Sequence, residues 1–447
     1  MINNGKHKMT NKKKFNFSAV ELFPETSRPK GQKDVLELKV DPIEKVRIAF
    51  IGIGMRGIKA VERYTYIEGI EIKIFCDLNV KNIEKAQEII NKKGFPKAEA
   101  YNGLEDWKTV CQREDIDLVY ICTKWELHTK QAVYAMEQGR HVAVEIPGGQ
   151  TIEECWELVD TAEITQRHCI ALENCIYETF PMATYKMVEN GLLGEIVHVE
   201  GGYIHNLRTR NFVEGERTDS GWDLKQIETR DGNIYPTHGF GPLCHVLNIH
   251  RGDKLEYLVA LSSKQIGITE YTKEKFGNEH KFSKTEYKLG DMNTCLMKTA
   301  KGKSIMLQQN VTNPRPYSRL FSVTGTKGYV VQYPEEGIAL DPDGEEFLTK
   351  EETEKLLKEY EHPIITELGE KSSTIGGHGG IDFIMDYRLI YCLRNGLPLD
   401  QDVYDAAEWA AIAELSEISV ANDSVPIKIP DFTRGAWKKL STVKYYL

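Results

Sequence analysis

The sequence predicts an α/β protein. A doubly wound parallel sheet stands at the N-terminus, and a second α/β domain follows on a large, mostly antiparallel open sheet. Three observations carry this. A strand-forming run, VRIAFI, breaks into Gly52-Ile53-Gly54-Met55-Arg56-Gly57. Strand and helix patterns then alternate as far as about residue 174, the signature of a parallel sheet with crossover helices. After residue 175 that rhythm gives way to long alternating strands, which suit an antiparallel sheet with one face buried.

The elements follow in order. Residues 1–44 are polar and irregular, with Pro24, Pro29 and Pro42, and are expected to form an arm. The first domain is placed at 45–174. In its glycine turn Gly52 permits the tight bend, Gly54 allows the backbone to approach a pyrophosphate, and Gly57 lets helix and strand close up; this is the Rossmann fingerprint. A helix is predicted at 58–68 and a strand at 70–76, ending in Asp77. Asp77 lies 25 positions after Gly52, near the distance at which a carboxylate meets the adenosine ribose. A free 2′-hydroxyl suits it and a 2′-phosphate does not, so the cofactor expected is NAD; an ordinary βαβ turn is the alternative. Asn79 caps a helix at 80–93 with an apolar stripe of Ile83, Ala86, Ile89 and Ile90, and Gly94 ends it. A strand at 117–122 runs into Thr123-Lys124-Trp125-Glu126-Leu127-His128, and a helix stops at Gly139. A strand at 141–145 follows. Thr151 and Glu154 predict a capping box for a helix to about 166, and a strand at 169–173 closes the domain.

The second domain is placed at 175–447. A helix at 182–189 precedes strands at 196–205, 257–263, 281–287, 293–299, 303–311 and 320–324. Helices at 382–395 and 404–420 are expected to return to the first domain. No internal repeat is visible.

Bulk properties exclude several classes. The chain has 447 residues, 41% hydrophobic and 28% charged, with a net charge of −10. That balance argues against nucleic acid or an anionic membrane as partner. No apolar run reaches the roughly 18 residues of a membrane span, and the basic N-terminus lacks the apolar core of a signal peptide. The nine cysteines are scattered without a C-x-x-C pair, so they read as reduced core residues of a cytoplasmic protein, with no metal site expected.

A Rossmann domain followed by an open-sheet domain resembles the glucose–fructose oxidoreductase/inositol dehydrogenase/MocA superfamily. Members carry Glu-Lys-Pro after the fifth strand, with lysine as acid–base group; this chain has Glu145-Ile146-Pro147. More specific stretches resemble family 109 glycoside hydrolases, the NAD-dependent N-acetylgalactosaminidases. They are Trp125-Glu126-Leu127-His128, Leu172-Glu173-Asn174, the run from Gly201 to Arg208, the run from Tyr235 to Leu243, Arg315-Pro316-Tyr317, the run from Gly376 to Asp382, and Ile429-Pro430-Asp431-Phe432. The resemblance spans residues 45–440.

The resemblance implies that Met55 and Arg56 line the pyrophosphate turn and that Asp77 takes the ribose. Trp125, Glu126, Leu127, His128, Glu145, Ile146 and Asn174 would follow the rest of the cofactor. Tyr203, Tyr235, Pro236, Thr237, His238 and Tyr317 would contact the sugar, with His238 and Tyr203 moving protons. His205 and His378 could assist, and Tyr177 is a weaker candidate. Where the family has Trp-Arg this chain has Trp222-Asp223, so a sugar-binding arginine is missing. The reaction implied is transient oxidation at C3 of the sugar, elimination of the aglycone, water addition and re-reduction, with NAD held tightly. A net sugar or cyclitol dehydrogenase and a non-catalytic NAD(H) sensor are the competing readings. A homodimer or homotetramer is expected through the exposed sheet face.

Overall fold

In the computed structural model, residues 18–24, 26–212, 221–342 and 344–447 are described, with side chains of 221–223 outside the description. Trp222 and Asp223 therefore lie outside the residues described here at side-chain level.

The first sheet is built from β1 (Val46–Ile51), β2 (Ile70–Cys76), β3 (Glu99–Tyr101), β4 (Leu118–Ile121), β5 (His141–Val144) and β6 (Cys169–Ala171). Their order is β3-β2-β1-β4-β5-β6, all parallel. The connecting helices are α1 (Met55–Tyr64), α2 (Val80–Lys92), α3 (Asp106–Gln112), α4 (Trp125–Glu137) and α5 (Ile152–Thr165). Helices cover both faces, which is why the central strands read as unbroken apolar runs such as Ile48-Ala49-Phe50-Ile51. The strand order reverses between β1 and β4, where Ile51 pairs with Ile121. A crevice at the carboxyl ends of those two strands is where open α/β sheets bind ligands.

Three local expectations needed correction. α1 begins at Met55, not 58, because Gly54 is its N-cap and Gly57 lies inside its first turn. β3 carried no strand signal: it is a three-residue edge strand with little burial, so no apolar alternation marks it. Thr151 does cap α5, its Oγ1 accepting from Glu154 N at 3.2 Å. The Glu154 carboxylate instead accepts from Gln150 N at 2.6 Å, so the reciprocal half of the capping box is displaced by one residue.

The second part comprises α6 (Thr179–Glu189), β7 (Ile196–Ile204), α7 (Arg208–Asn211), α8 (Gly221–Thr229), α9 (Thr237–Leu247), β8 (Leu255–Ser262), α10 (Gly267–Phe276), α11 (Lys281–Lys284), β9 (Asn293–Thr299), β10 (Ser304–Asn310), β11 (Ser322–Gly325), β12 (Gly328–Val331) and β13 (Gly337–Leu340). It closes with α12 (Lys350–Glu359), α13 (Pro363–Ile375), α14 (Ile381–Asn395), α15 (Val403–Ala421) and β14 (Ile427–Lys428). The eight-stranded sheet runs β13-β12-β11-β7-β10-β9-β8-β14, antiparallel except for the parallel pair β7–β10. The strand expected at 281–287 is absent. His280 Nδ1 instead accepts from Phe282 N at 3.3 Å and starts α11. Phe282 and Tyr287 pack around Phe212 with centroids 5.0 and 6.3 Å away.

The C-terminal helices return to the first sheet. From α14, Asp386 accepts Arg63 Nε at 2.7 Å and the Tyr120 hydroxyl at 3.0 Å. From α15, the Tyr404 hydroxyl donates to Glu163 Oε1 at 2.6 Å. The segment before β1 is also tied down, with Arg28 bound to Glu163 at 2.9 Å and Val35 N donating to the Tyr404 hydroxyl at 3.1 Å. Among the described residues no helix is long and apolar enough to cross a membrane.

Candidate active site

The glycine turn packs against the end of β4. Gly52 has φ +84°, and a Cβ there would stand 2.6 Å from the Cys122 carbonyl oxygen. A Cβ on Gly57 would stand 2.2 Å from the Gly52 carbonyl oxygen. Gly54 caps α1 without any side-chain bond, so the helix start keeps the donor-rich, positive end that favours phosphate. Asp77 is fixed beside it: Oδ2 accepts from Ile53 N at 2.5 Å and Oδ1 from Asn79 N at 2.7 Å. A glycine cradle, a helix start with no side-chain cap and a carboxylate at the end of β2 fit NAD. The exposed Met55, Leu78 and Val80 add apolar surface around that turn.

On the opposite wall Trp125 opens α4 and lies parallel to Tyr235, with centroids 5.8 Å apart and planes at 4°. Glu126 faces Lys225 of α8 at 2.7 Å, and Leu127 stays exposed. His128 is buried. Its ring nitrogens lie 2.9 Å from the Pro147 carbonyl and 3.1 Å from that of Thr123. It fastens the loop after β4 to the loop after β5. Burial lowers its pKa, against the pull of the two carbonyls. Ile146 is buried against Ala171, Ala406 and Tyr235. The position that holds lysine across the superfamily is thus an apolar contact.

Arg56 turns to the floor of the cleft. Its Nε donates to Glu145 Oε1 at 3.0 Å, and Nη1 lies 3.6 Å from Asp382 Oδ2. Asn174 Nδ2 donates to Asp382, and His378 Nδ1 lies 3.0 Å from the same carboxylate. Burial alone would raise the Asp382 pKa, but His378, Arg63 and Arg56 hold it well below the carboxylate range. His378 stands in a run where Gly376, Gly377, Gly379 and Gly380 all have positive φ, and its side chain is 61% exposed. The turn thus presents the imidazole at the mouth of the cleft while Asp382 orients it.

The second domain supplies His238, Tyr203 and His205. α9 begins at Thr237, and the buried Pro236 and Thr237 place His238 in its first turn. His238 Nδ1 lies 2.9 and 3.1 Å from the two oxygens of Glu173, which is fully buried at the end of β6. Burial favours a protonated Glu173, yet His238 and the amide of Cys175 keep its pKa below the ordinary value. With Nδ1–H donated to that carboxylate, Nε2 carries the free lone pair and faces the Tyr235 hydroxyl at 3.4 Å. Tyr203, at the inner end of β7, has its hydroxyl 2.9 Å from His205 Nδ1. Burial, Arg210, His238 and His378 lower the His205 pKa, so a neutral ring is available to accept from that hydroxyl. The rings of Tyr203 and His238 are 5.7 Å apart, and Tyr317, 45% exposed, lies edge-on to His205 at 5.1 Å. Two oriented proton acceptors thus share one aromatic cavity. Tyr177 is not part of it; it is buried, with its hydroxyl on Asp400 at 3.0 Å.

Sequence reasoning assigned no role to Glu173, Arg319 or Asp382. Glu173 had a legible signal, a carboxylate at the carboxyl end of a buried apolar strand. Arg319 did not: it is buried, bound to the Tyr333 hydroxyl at 2.6 Å and paired with Glu178, and it sets a guanidinium 5.8 Å from the Tyr317 ring.

Residues 46–172 match the family model for the oxidoreductase family with an NAD-binding Rossmann fold, and residues 177–439 match that for the glycosyl hydrolase 109 C-terminal domain. An alpha-N-acetylgalactosaminidase of Bacteroides fragilis is 52% identical over 411 residues, covering 92% of this chain and 97% of the relative. A glycosyl hydrolase family 109 protein of Phocaeicola vulgatus is 50% identical over 408 residues, covering 91% and 99%. Among solved structures, a levoglucosan dehydrogenase complex with NADH and levoglucosan superposes with TM-score 0.64 at 19% identity, over 87% of this chain and all of the other. A myo-inositol dehydrogenase from Lactobacillus casei gives 0.59 at 17%, over 87% and 99%. At these identities the two structures speak for the fold alone.

Proposed function

This chain belongs to glycoside hydrolase family 109, and on that premise we propose that it releases terminal N-acetylgalactosamine, or a related sugar, without net oxidation. NAD, held by the Gly52–Gly57 turn, Asp77 and the wall from Trp125 to His128, supplies a reversible hydride acceptor for the sugar ring. The observation that carries the reading is the Glu173–His238 pair facing Tyr203 across the cavity, with Ile146 where a dehydrogenase would keep its lysine. Glu173 holds His238 in the tautomer whose Nε2 accepts a proton from the sugar. Tyr203 exchanges its hydroxyl proton with His205, giving a second acceptor on the adjoining wall. Tyr235 and Tyr317 close over the ring faces, and Ile146 keeps water from that side. The route differs from an ordinary glycosidase, which sets two carboxylates across the scissile bond.

The cofactor ends each cycle as it began, and the reading includes its retention. Lys225 to Glu126, and Gln226 Nε2 to Gln150 Oε1 at 3.4 Å, clasp α8 across the cleft and support that retention. Nine cysteines, none paired among the described residues, suit a reducing compartment.

The test is incubation with aryl N-acetylgalactosaminides while phenol release and NADH absorbance are followed together. Release without accumulating NADH is expected. Stoichiometric NADH would establish a net dehydrogenase, and neither signal would leave only NAD(H) binding. His238→Ala should abolish release while bound NAD is retained; full activity in that variant would sink the assignment of His238.

A second expectation concerns assembly. On the open sheet face Val259, Leu296 and Met306 align across β8, β9 and β10, with Leu261 two residues further along. Leu261 and Leu296 are 65% and 54% exposed, an apolar patch that supports a subunit interface on this face. Leu296→Glu should convert a dimer or tetramer to a smaller species by light scattering, with hydrolysis per chain little changed. An unaltered mass in solution would remove this face from consideration.

A further inference from the structure

Among the described residues, one group of side chains joins three kinds of metal donor at a single point: Glu173, Cys175 and His238. Their ligand atoms all lie within 4.8 Å of one another. His238 Nδ1 is 2.9 Å from Glu173 Oε2 and 3.3 Å from Cys175 Sγ. Around a tetrahedral zinc ion, bonds of about 2.0–2.3 Å set neighbouring ligand atoms roughly 3.3–3.8 Å apart. Both the sulfur–nitrogen and the nitrogen–oxygen separations must open by a few tenths of an ångström. The donors sit on fixed backbone: the end of β6, the short turn Cys175–Tyr177 and the first turn of α9.

Charge and access also fit. A thiolate and a carboxylate together balance a divalent ion. Arg319 Nη1 lies 2.9 Å from Cys175 Sγ, with Glu178 paired to the guanidinium; burial and Glu173 outweigh it and push the thiol well up, so the metal itself must displace the proton. Glu173 and Cys175 are buried, whereas the His238 side chain is 16% exposed, so the group is reached from the side of the imidazole. Three protein ligands and one open position are the arrangement of reactive zinc sites. The mixture of sulfur, imidazole nitrogen and one carboxylate selects zinc or cadmium over magnesium or calcium.

We propose that Glu173, Cys175 and His238 capture a zinc or cadmium ion, and that capture switches hydrolysis off. On binding, the Cys175 thiol gives one proton to solvent, and the imidazole proton moves from Nδ1 to Nε2 as the metal takes the Nδ1 lone pair. The ion brings two positive charges and the thiol releases one as a proton, so the site's charge rises from −1 to zero. Nε2, the atom that accepts a proton in hydrolysis, becomes an N–H donor and cannot serve as base. The inhibition rests on the proposed function; the binding does not.

The test titrates cadmium chloride into the NAD-loaded enzyme and follows the ultraviolet thiolate-to-cadmium charge-transfer absorbance together with hydrolysis. One equivalent should produce the band, remove activity in parallel and be reversed by EDTA. Zinc should inhibit alike, and magnesium should do nothing. Cys175→Ser and Cys175→Ala should both lose the band and need about 100-fold more metal, or higher, for half-inhibition relative to each variant's own metal-free rate. A band of equal size in both variants would assign the metal to another thiol and overturn the site. A band with hydrolysis unchanged would overturn the switch. Should the protein hydrolyse no tested substrate, the loss of the band in the two variants still decides the site.

Discussion

Glu173→Gln is expected to lower kcat by about 10³–10⁴-fold, with KM nearly unchanged and NAD retained. The glutamine has the volume of the glutamate but can present an N–H to His238 Nδ1. That would favour the tautomer protonated on Nε2, and comparable replacements behind a catalytic histidine cost about 10⁴-fold. A packing defect would also lower the rate, so Glu173→Asp separates the two. Glu173 lies 2.9 Å from Nδ1, and an aspartate keeps a carboxylate to accept that N–H, so it should recover part of the rate the glutamine loses. A fall of less than about tenfold in Glu173→Gln, or an aspartate variant no faster than it, would return Glu173 to a structural role.

Gly52→Ala is expected to cost about 3–5 kcal/mol of stability, the range reached when backbone strain and overpacking combine. Two effects add. The residue holds φ +84°, which an L side chain adopts only with strain, and its Cβ would press to 2.6 Å on the Cys122 carbonyl, backbone that cannot swing away. The turn must open, and the cradle opens with it, so purified protein should emerge without NAD. Denaturation and the absorbance of extracted cofactor measure the two losses. Wild-type stability with a full complement of NAD would show that the turn tolerates a side chain.

The parallel sheet was legible because buried strands alternate with helices and because glycine spacing is a local property of the chain. Thr151 and Asn79 announced their helices for the same reason. The segment 281–287 misled because its aromatic residues record burial without saying what buries them, and here that is a cluster around Phe212 and not a sheet. Residue type alone singled out His238, Tyr203 and Asp77, and the structure places the first two rings 5.7 Å apart and the third beside the glycine turn. It was not legible where function depends on a partner distant in sequence. Glu173 meets His238 65 residues away, and Asp382 joins Arg56, Asn174 and His378 across three elements. Arg56 shows the reverse: its position in the glycine turn suggested phosphate, yet its guanidinium is occupied by Glu145 and Asp382.

The clasp of α8 over the cleft, with Lys225 on Glu126 and Trp125 parallel to Tyr235, has a consequence for how such an enzyme relates to its cell. A cofactor retained as proposed above would not be coupled to the surrounding ratio of oxidised to reduced nicotinamide, so turnover would be insulated from metabolic state. The same insulation would create a hazard. A sugar that left after giving up its hydride would strand the protein in the reduced form, with no external pool to reset it. Catalytic lifetime would then be set by how seldom a half-finished substrate escapes, and the clasp would govern both the protection and the recovery.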